Sequence, residues 1–182
     1  MGITIEDLTR KLLTAVGEDP NREGLIETPK RVANYYKEAL YGYSLNVNSV
    51  IKTFPSEGIH ELVIVKDIQF YSLCEHHMVP FFGTVDMGYI PNDRILGLSK
   101  FARIVYIFAT RLQTQERLSH QILDTIVKNL KPKGCIVRIV ATHLCVSMRG
   151  VKNTNSKTVT LAYQGILEKD KNKQSEFLSQ LG

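Results

Sequence analysis

Cysteine is scarce in this chain, which has only Cys74, Cys135 and Cys145. An odd number, widely spaced, argues against a disulfide framework and leaves metal or thiol chemistry as the better use. No stretch approaches the roughly 18 apolar residues that a membrane-spanning helix needs. Residues Met1 to Asp7 lack both the basic start and the apolar run of a secretory signal. We therefore expect a cytoplasmic protein with no membrane contact. Blocks of five or six like charges are also missing. The formal charge of +5 and the isoelectric point near 9.1 are spread over the whole chain. Such a balance suits a nucleic acid, an anionic surface or a phosphorylated small molecule, and charge alone does not choose among them. The nearest thing to a charge run, Glu168 to Lys173, mixes signs and reads as a solvated C-terminal segment.

What is present fits one domain spanning residues 1–182, without repeat, linker or low-complexity tract. Ile5, Leu8, Leu12 and Val16 recur at helical spacing and stop at Gly17. Thr28-Pro29 reads as an N-cap followed by proline at the first helical position, with Val32, Tyr35, Tyr36, Ala39 and Leu40 as the stripe and Gly42 as the stop. Residues 1–45 thus form a helical N-terminal segment. The pattern then changes. Leu62 to Val65 is a β-branched run, and Val85, Met87 and Tyr89 alternate with polar or small residues up to a Pro91-Asn92-Asp93 turn. Two helical stripes follow, Phe101 to Leu112 with Ser99 as N-cap, and Leu118 to Leu130 ended by Lys131-Pro132-Lys133-Gly134. Cys135 to Met148 reads as one long strand and Thr158 to Ile166 as the last. The order predicts an α+β fold, with helices packed on one face of an antiparallel sheet.

Cys74-Glu75-His76-His77 contains a Cys-x-x-His spacing, which lets a turn offer thiolate and imidazole to one ion. On a strand reaching Met148, His143 and Cys145 would share a face about 7 Å apart. Two arrangements are open: a closed site of Cys74, His77, His143 and Cys145, or three ligands with a free fourth position. Neighbours on one strand face must bend strongly to share a metal, which favours the open site. Cys135 lies about 33 Å of extended strand from Cys145 and reads as a buried structural cysteine. Lys100 and Arg103 lie on one side of a helix start, where free amides attract phosphate. Arg149 adds a fork-shaped donor close to the metal strand. Gln113, Gln115 and Glu116 occupy a polar break, and a carboxylate such as Glu116 accepts from both donors of a guanine edge.

Together the stretches GEDPNREGLIETPKRV, CEHHMVPFFG, YIPN, GLSKFARIV, RLQTQERL, ATHLCVSMRG and SKTVT closely resemble the GTP cyclohydrolase I family. The resemblance implies a tunnelling fold with a catalytic core at residues 60–166, whose sheets join into barrels in a homodecamer with active sites at subunit interfaces. It implies zinc on Cys74, His77 and Cys145, with His76 and His143 as acid and base. Ser99, Lys100, Arg103 and Arg149 would hold the triphosphate of GTP, and Gln115 with Glu116 the guanine edge. The implied reaction opens the guanine ring, releases formate and recloses to 7,8-dihydroneopterin triphosphate, the first step toward tetrahydrofolate or tetrahydrobiopterin. Leu161, Tyr163 and Leu167 depart from the usual residues and bear on C-terminal packing. Two rivals stay open: a related deazapurine enzyme such as the nitrile reductase of queuosine synthesis, and a basic nucleic-acid module with structural zinc.

Overall fold

The computed structural model describes residues 2–181. The chain divides after Tyr41 into two compact units. In the first, α1 (Ile5–Ala15) opens on a capping box: Thr4 Oγ1 accepts from the Asp7 amide, and Asp7 Oδ2 accepts from the Thr4 amide. That satisfies two amides which a helix start otherwise leaves bare. Past the cap residue Val16 the chain turns at Gly17, whose φ of 89° suits glycine alone. Helix α2 (Thr28–Ala39) takes Thr28 into its first turn, so Thr28 is not the N-cap; Glu27 precedes it without a side-chain cap. Proline in that turn costs no hydrogen bond, because its amide would have no partner there. The α1 stripe remains uncovered, with Leu12 at 62% and Val16 at 68% exposure.

The second unit opens at Gly42, inside a short 3-10 turn at Tyr41–Ser44, and a second such turn follows at Val47–Val50. Gly42, expected as a helix stop, instead serves close packing: a Cβ there would stand 2.1 Å from the carbonyl oxygen of Ile107. Then come β1 (Thr53–Pro55), β2 (Val63–Cys74), β3 (Pro80–Ile90), β4 (Arg94–Leu96), α3 (Leu98–Ala109) and β5 (Leu112–Gln113). The chain ends with α4 (Gln115–Leu130), β6 (Gly134–His143), α5 (Leu144–Ser147), β7 (Thr158–Gly165), α6 (Ile166–Lys169) and α7 (Lys171–Ser179). Strands β1 and β4 pair with each other, and the main sheet runs β5-β2-β3-β6-β7. It is antiparallel except where the two residues of β5 lie parallel to β2.

Alternation along the strands divides two cores. Val85, Met87 and Tyr89 of β3 and Cys135, Val137, Ile139 and Ala141 of β6 face α3 and α4, against Phe101, Ile104, Leu118, Ile122 and Ile126. On the opposite face Ile90 and Ile136 meet Leu167 and Phe177, both fully buried. Glu168 to Lys173 is the solvated segment expected, with none of its six residues buried. It leads into a helix that covers the far face, and the helices do not all lie on one side. Leu167 sits within that core, and Tyr163 packs against it.

A bulge in β2 decides where its end points. The register with β3 shifts between Val65 and Ile68, and Asp67 adopts φ 59°. Val63 and Val65 face the core before the bulge, and Ile68, Phe70 and Cys74 after it. The extra residue swaps the parity, and so Cys74 faces inward. Buried Asp86 supports the bulge: it accepts from the Asp67 amide at 2.9 Å and from Arg138 Nη1 at 2.8 Å.

Candidate active site

The turn between β2 and β3 carries the first two candidate ligands. The Cys74 amide donates to the Val79 carbonyl, the Met78 amide returns to the Cys74 carbonyl at 2.7 Å, and Met78 adopts φ 53°. This tight reversal places His77 Nδ1 4.0 Å from Cys74 Sγ. Two anchors hold the turn from outside: the Glu75 amide donates to the Gln113 carbonyl, and Arg117 grips the Glu75 carboxylate with both of its terminal nitrogens. The Arg117 guanidinium keeps the Glu75 carboxyl below its ordinary value.

Cys145 arrives by a different route from the one expected. Strand β6 stops at His143, and a single turn of helix, α5, follows. The reason lies in its neighbours. His143 pairs with Phe81, β3 begins at Pro80, and β7 reaches no further than Ala141, so little strand remains to pair with. The same-face argument for His143 and Cys145 therefore does not hold. The helical turn, not strand parity, brings Cys145 to Cys74 and His77, and the donor atoms of all three lie within 4.8 Å of one another. A tetrahedral ion with Zn–S near 2.3 Å and Zn–N near 2.0 Å needs donors about 3.5 to 3.8 Å apart, so this set fits a metal with little closure. His143 is not a member of the group. Burial, then the adjacent Cys74 thiol, pushes the Cys145 thiol above its ordinary value, against the pull of Arg149. Cys135 stands apart, fully buried, its thiol pushed up to about 12 by burial.

His143 continues the core-facing row of β6. Its ring stacks on Phe81 at 4.7 Å and 5°, and its Nε2 lies 2.8 Å from Gln115 Oε1. Burial lowers its pKa, with the Glu116 carboxylate opposing. His76 is exposed, its Nδ1 3.8 Å from Cys74 Sγ and its Nε2 3.8 Å from Glu75 Oε1. Arg149 Nη1 donates to His77 Nε2 at 3.2 Å, so this arginine stands at the turn between β2 and β3.

The remaining candidates fall into two groups. Helix α3 begins at Leu98 with Gly97 before it, so Ser99 lies inside the first turn and is not the N-cap. Ser99 and Arg103 are exposed and Lys100 half-buried, and among the described residues no hydrogen bond or ion pair joins their side chains to the metal turn. Leu112, expected at the end of the helical stripe, belongs to β5. Thr114 caps α4 by accepting from the Arg117 amide, and Glu116 is exposed on the first turn. Gln115 instead points inward at 1% exposure, since successive helix positions face different ways. The Glu75–Arg117 clamp and the Phe81 stack were not visible in the sequence, because both depend on pairing between distant segments.

An α+β domain with a Cys–His–Cys group that could hold a metal ion, and a half-buried, hydrogen-bonded histidine two residues before the second cysteine, fits the class of metal-assisted enzymes. A family model described as GTP cyclohydrolase I matches residues 5–182. The chain is 51% identical over 176 residues to GTP cyclohydrolase 1 of Geobacillus kaustophilus, covering 96% of this chain and 94% of that one. It is 50% identical over 177 residues to the enzyme of the same name from Deinococcus radiodurans, covering 96% and 82%. The counterpart from Thermoanaerobacter pseudethanolicus is 49% identical over 176 residues, covering 96% and 94%. The chain belongs to the GTP cyclohydrolase I family and is an enzyme of that type. Among the described residues no helix is long and apolar enough to cross a membrane.

Proposed function

We propose that the chain holds zinc on Cys74, His77 and Cys145 and hydrolyses GTP to formate and 7,8-dihydroneopterin triphosphate, the first step toward tetrahydrofolate or tetrahydrobiopterin. The observation that carries the reading is the metal group itself: three donors within 4.8 Å, with His143 close in sequence yet engaged elsewhere. A structural site usually closes with four protein ligands, whereas three leave room for water or substrate. Zinc held there would lower the pKa of a bound water to about 7 and so would supply a nucleophile near neutral pH.

The residues around it divide the remaining work. His143, whose pKa burial lowers, accepts and returns protons at the ring being opened, and exposed His76 exchanges them with solvent. Glu116, close enough to act electrostatically on His143, accepts from the two donors of the guanine edge. Arg149 holds phosphate oxygens from the metal side. Ser99, Lys100 and Arg103 supply further phosphate donors at the start of α3, with the helix dipole behind them. Within one chain no hydrogen bond or ion pair among the described residues ties these side chains to the Cys74–His77 turn, and we take the site to be completed between subunits, in a homodecamer. The outer edge of β7, where Val159 and Leu161 are exposed, suits sheet-to-sheet joining. A cytoplasmic setting, where thiols stay reduced, suits the free cysteines.

The test is incubation of purified, zinc-loaded protein with GTP, following formate release and the dihydropterin chromophore. Both products are expected in equal amounts. Unchanged GTP would sink the reading, and formate without the pterin would break the reclosure step.

A further inference from the structure

Gln115 was expected to touch the substrate, yet its side chain is spent inside the protein. Its Nε2 lies 3.1 Å from the carbonyl oxygen of Ile139, 3.1 Å from that of Thr158 and 3.2 Å from Thr160 Oγ1. The two ends of a glutamine amide look alike, but their surroundings are not alike here. Two backbone carbonyls only accept, so the atom facing them must be the nitrogen. The amide oxygen is thereby turned to His143 Nε2 at 2.8 Å, and an amide oxygen only accepts.

From this we infer that Gln115 is a positioning residue that holds His143 in the tautomer protonated on Nε2, leaving Nδ1 as the bare nitrogen that trades protons with substrate. A neutral imidazole carries one proton, so a hydrogen bond that requires it on Nε2 removes it from Nδ1. The Phe81 stack fixes the plane of the ring, and turning the ring over within that plane would carry Nε2 away from the glutamine. Gln115 is itself tied down. Ser119 Oγ donates to the Gln115 carbonyl at 3.0 Å and lies 2.7 Å from Thr160 Oγ1, closing a loop of bonds between α4 and β7. Both Gln115 and Ser119 are 1% exposed, so water does not compete for these partners. The adjacent Glu116 remains free for the substrate, and two neighbouring polar residues thus divide orientation from recognition.

This inference rests on a catalytic role for His143, and the experiment separates the two. Zinc-loaded protein labelled with ¹⁵N-histidine would be sedimented and its imidazole shifts read by solid-state NMR at about pH 8, above the ordinary histidine value of about 6.5. There are five histidines in all, and the His143 signals are those missing from His143→Ala. In the unmodified protein the His143 signals should show a protonated Nε2 and a bare Nδ1; the reverse pattern, or an even mixture, overturns the proposal without any variant having to fold. In Gln115→Met, which keeps the length and removes the acceptor, the His143 tautomers should mix. The kcat should fall by about 10- to 10²-fold, less than the whole general acid–base contribution of about 10² to 10⁴. The KM for GTP and the zinc content should stay within about twofold of the unmodified protein, as an interaction confined to the chemical step requires. Unchanged kcat, or a loss shared by KM and zinc content, would reduce Gln115 to a packing residue. If His143→Ala turns over GTP normally, the catalytic reading of His143 falls while the tautomer spectrum still reports on the glutamine bond.

Discussion

Strand β6 has Cys135 near its start and Cys145 just past its end. Around Cys135 the sheet is continuous: β3 pairs on one side, β7 on the other, and α3 and α4 pack over its face. Nearby, Leu167 and Phe177 close the opposite face. Around Cys145 both partner strands have run out, the backbone has turned into one helical loop, and the neighbours are a thiol, an imidazole and a guanidinium. The same residue type is an inert filler at one end and, in the function proposed above, a metal donor at the other. Pairing and packing decide which, because a thiol walled in by hydrocarbon cannot ionise and one at a frayed end beside other donors can.

The largest effect expected from perturbing this contrast is at the frayed end. Cys145→Ala should remove metal and turnover together, since two protein ligands rarely retain zinc at a catalytic site. Elemental analysis beside a GTP assay would show it, and retained zinc with full activity would place the metal elsewhere. Folding should survive that change. At the packed end the reverse holds. Phe177→Ala empties a fully buried site and should cost about 3 to 5 kcal/mol of stability in chemical denaturation while leaving the metal stoichiometry intact.

Smaller effects sharpen the division. Arg149→Ala should weaken GTP by about 1.5 to 3 kcal/mol, the range of a charge-assisted hydrogen bond, and guanosine hardly at all. Calorimetry with both ligands would show this, and equal losses would move Arg149 away from the phosphates. The last test compares the thiols directly, with the metal stripped by a chelator. Cys145, half-buried and with its pKa raised, should alkylate slowly near neutral pH and faster as the pH climbs, because only the thiolate reacts. Cys135, held neutral up to about 12, should stay unmodified until the protein unfolds. Ligation also requires thiolates, so zinc affinity should fall as the pH drops. Mass spectrometry resolves the two sites, and early labelling of Cys135 would mean that the packed end opens.

Much of the site was readable because its signals are local. Cys74 and His77 are three residues apart, and one turn of chain brings them together whatever lies around them. The stripes of α3 and α4 and the alternation of β3 and β6 follow from backbone periods that need no partner. Elements whose ends depend on neighbours were misjudged. The extension of β6 to Met148 was expected from residues that suit a strand, but a strand also needs another to pair with, and β3 begins at Pro80. Ser99 resembled a cap, while the turn before it closes on Gly97.

The sequence by itself determined the family and the catalytic class and singled out the Cys and His side chains that could hold a metal, since these rest on residue identities at short spacings. Only the tertiary structure decided that a bulge at Asp67 turns Cys74 inward, that α7 buries Phe177 against the far face, and that Gln115 faces His143 while Glu116 faces solvent. Each of those outcomes satisfies a buried polar group or covers an apolar face with a partner distant along the chain. Local periodicity carries no information about which distant partner that will be.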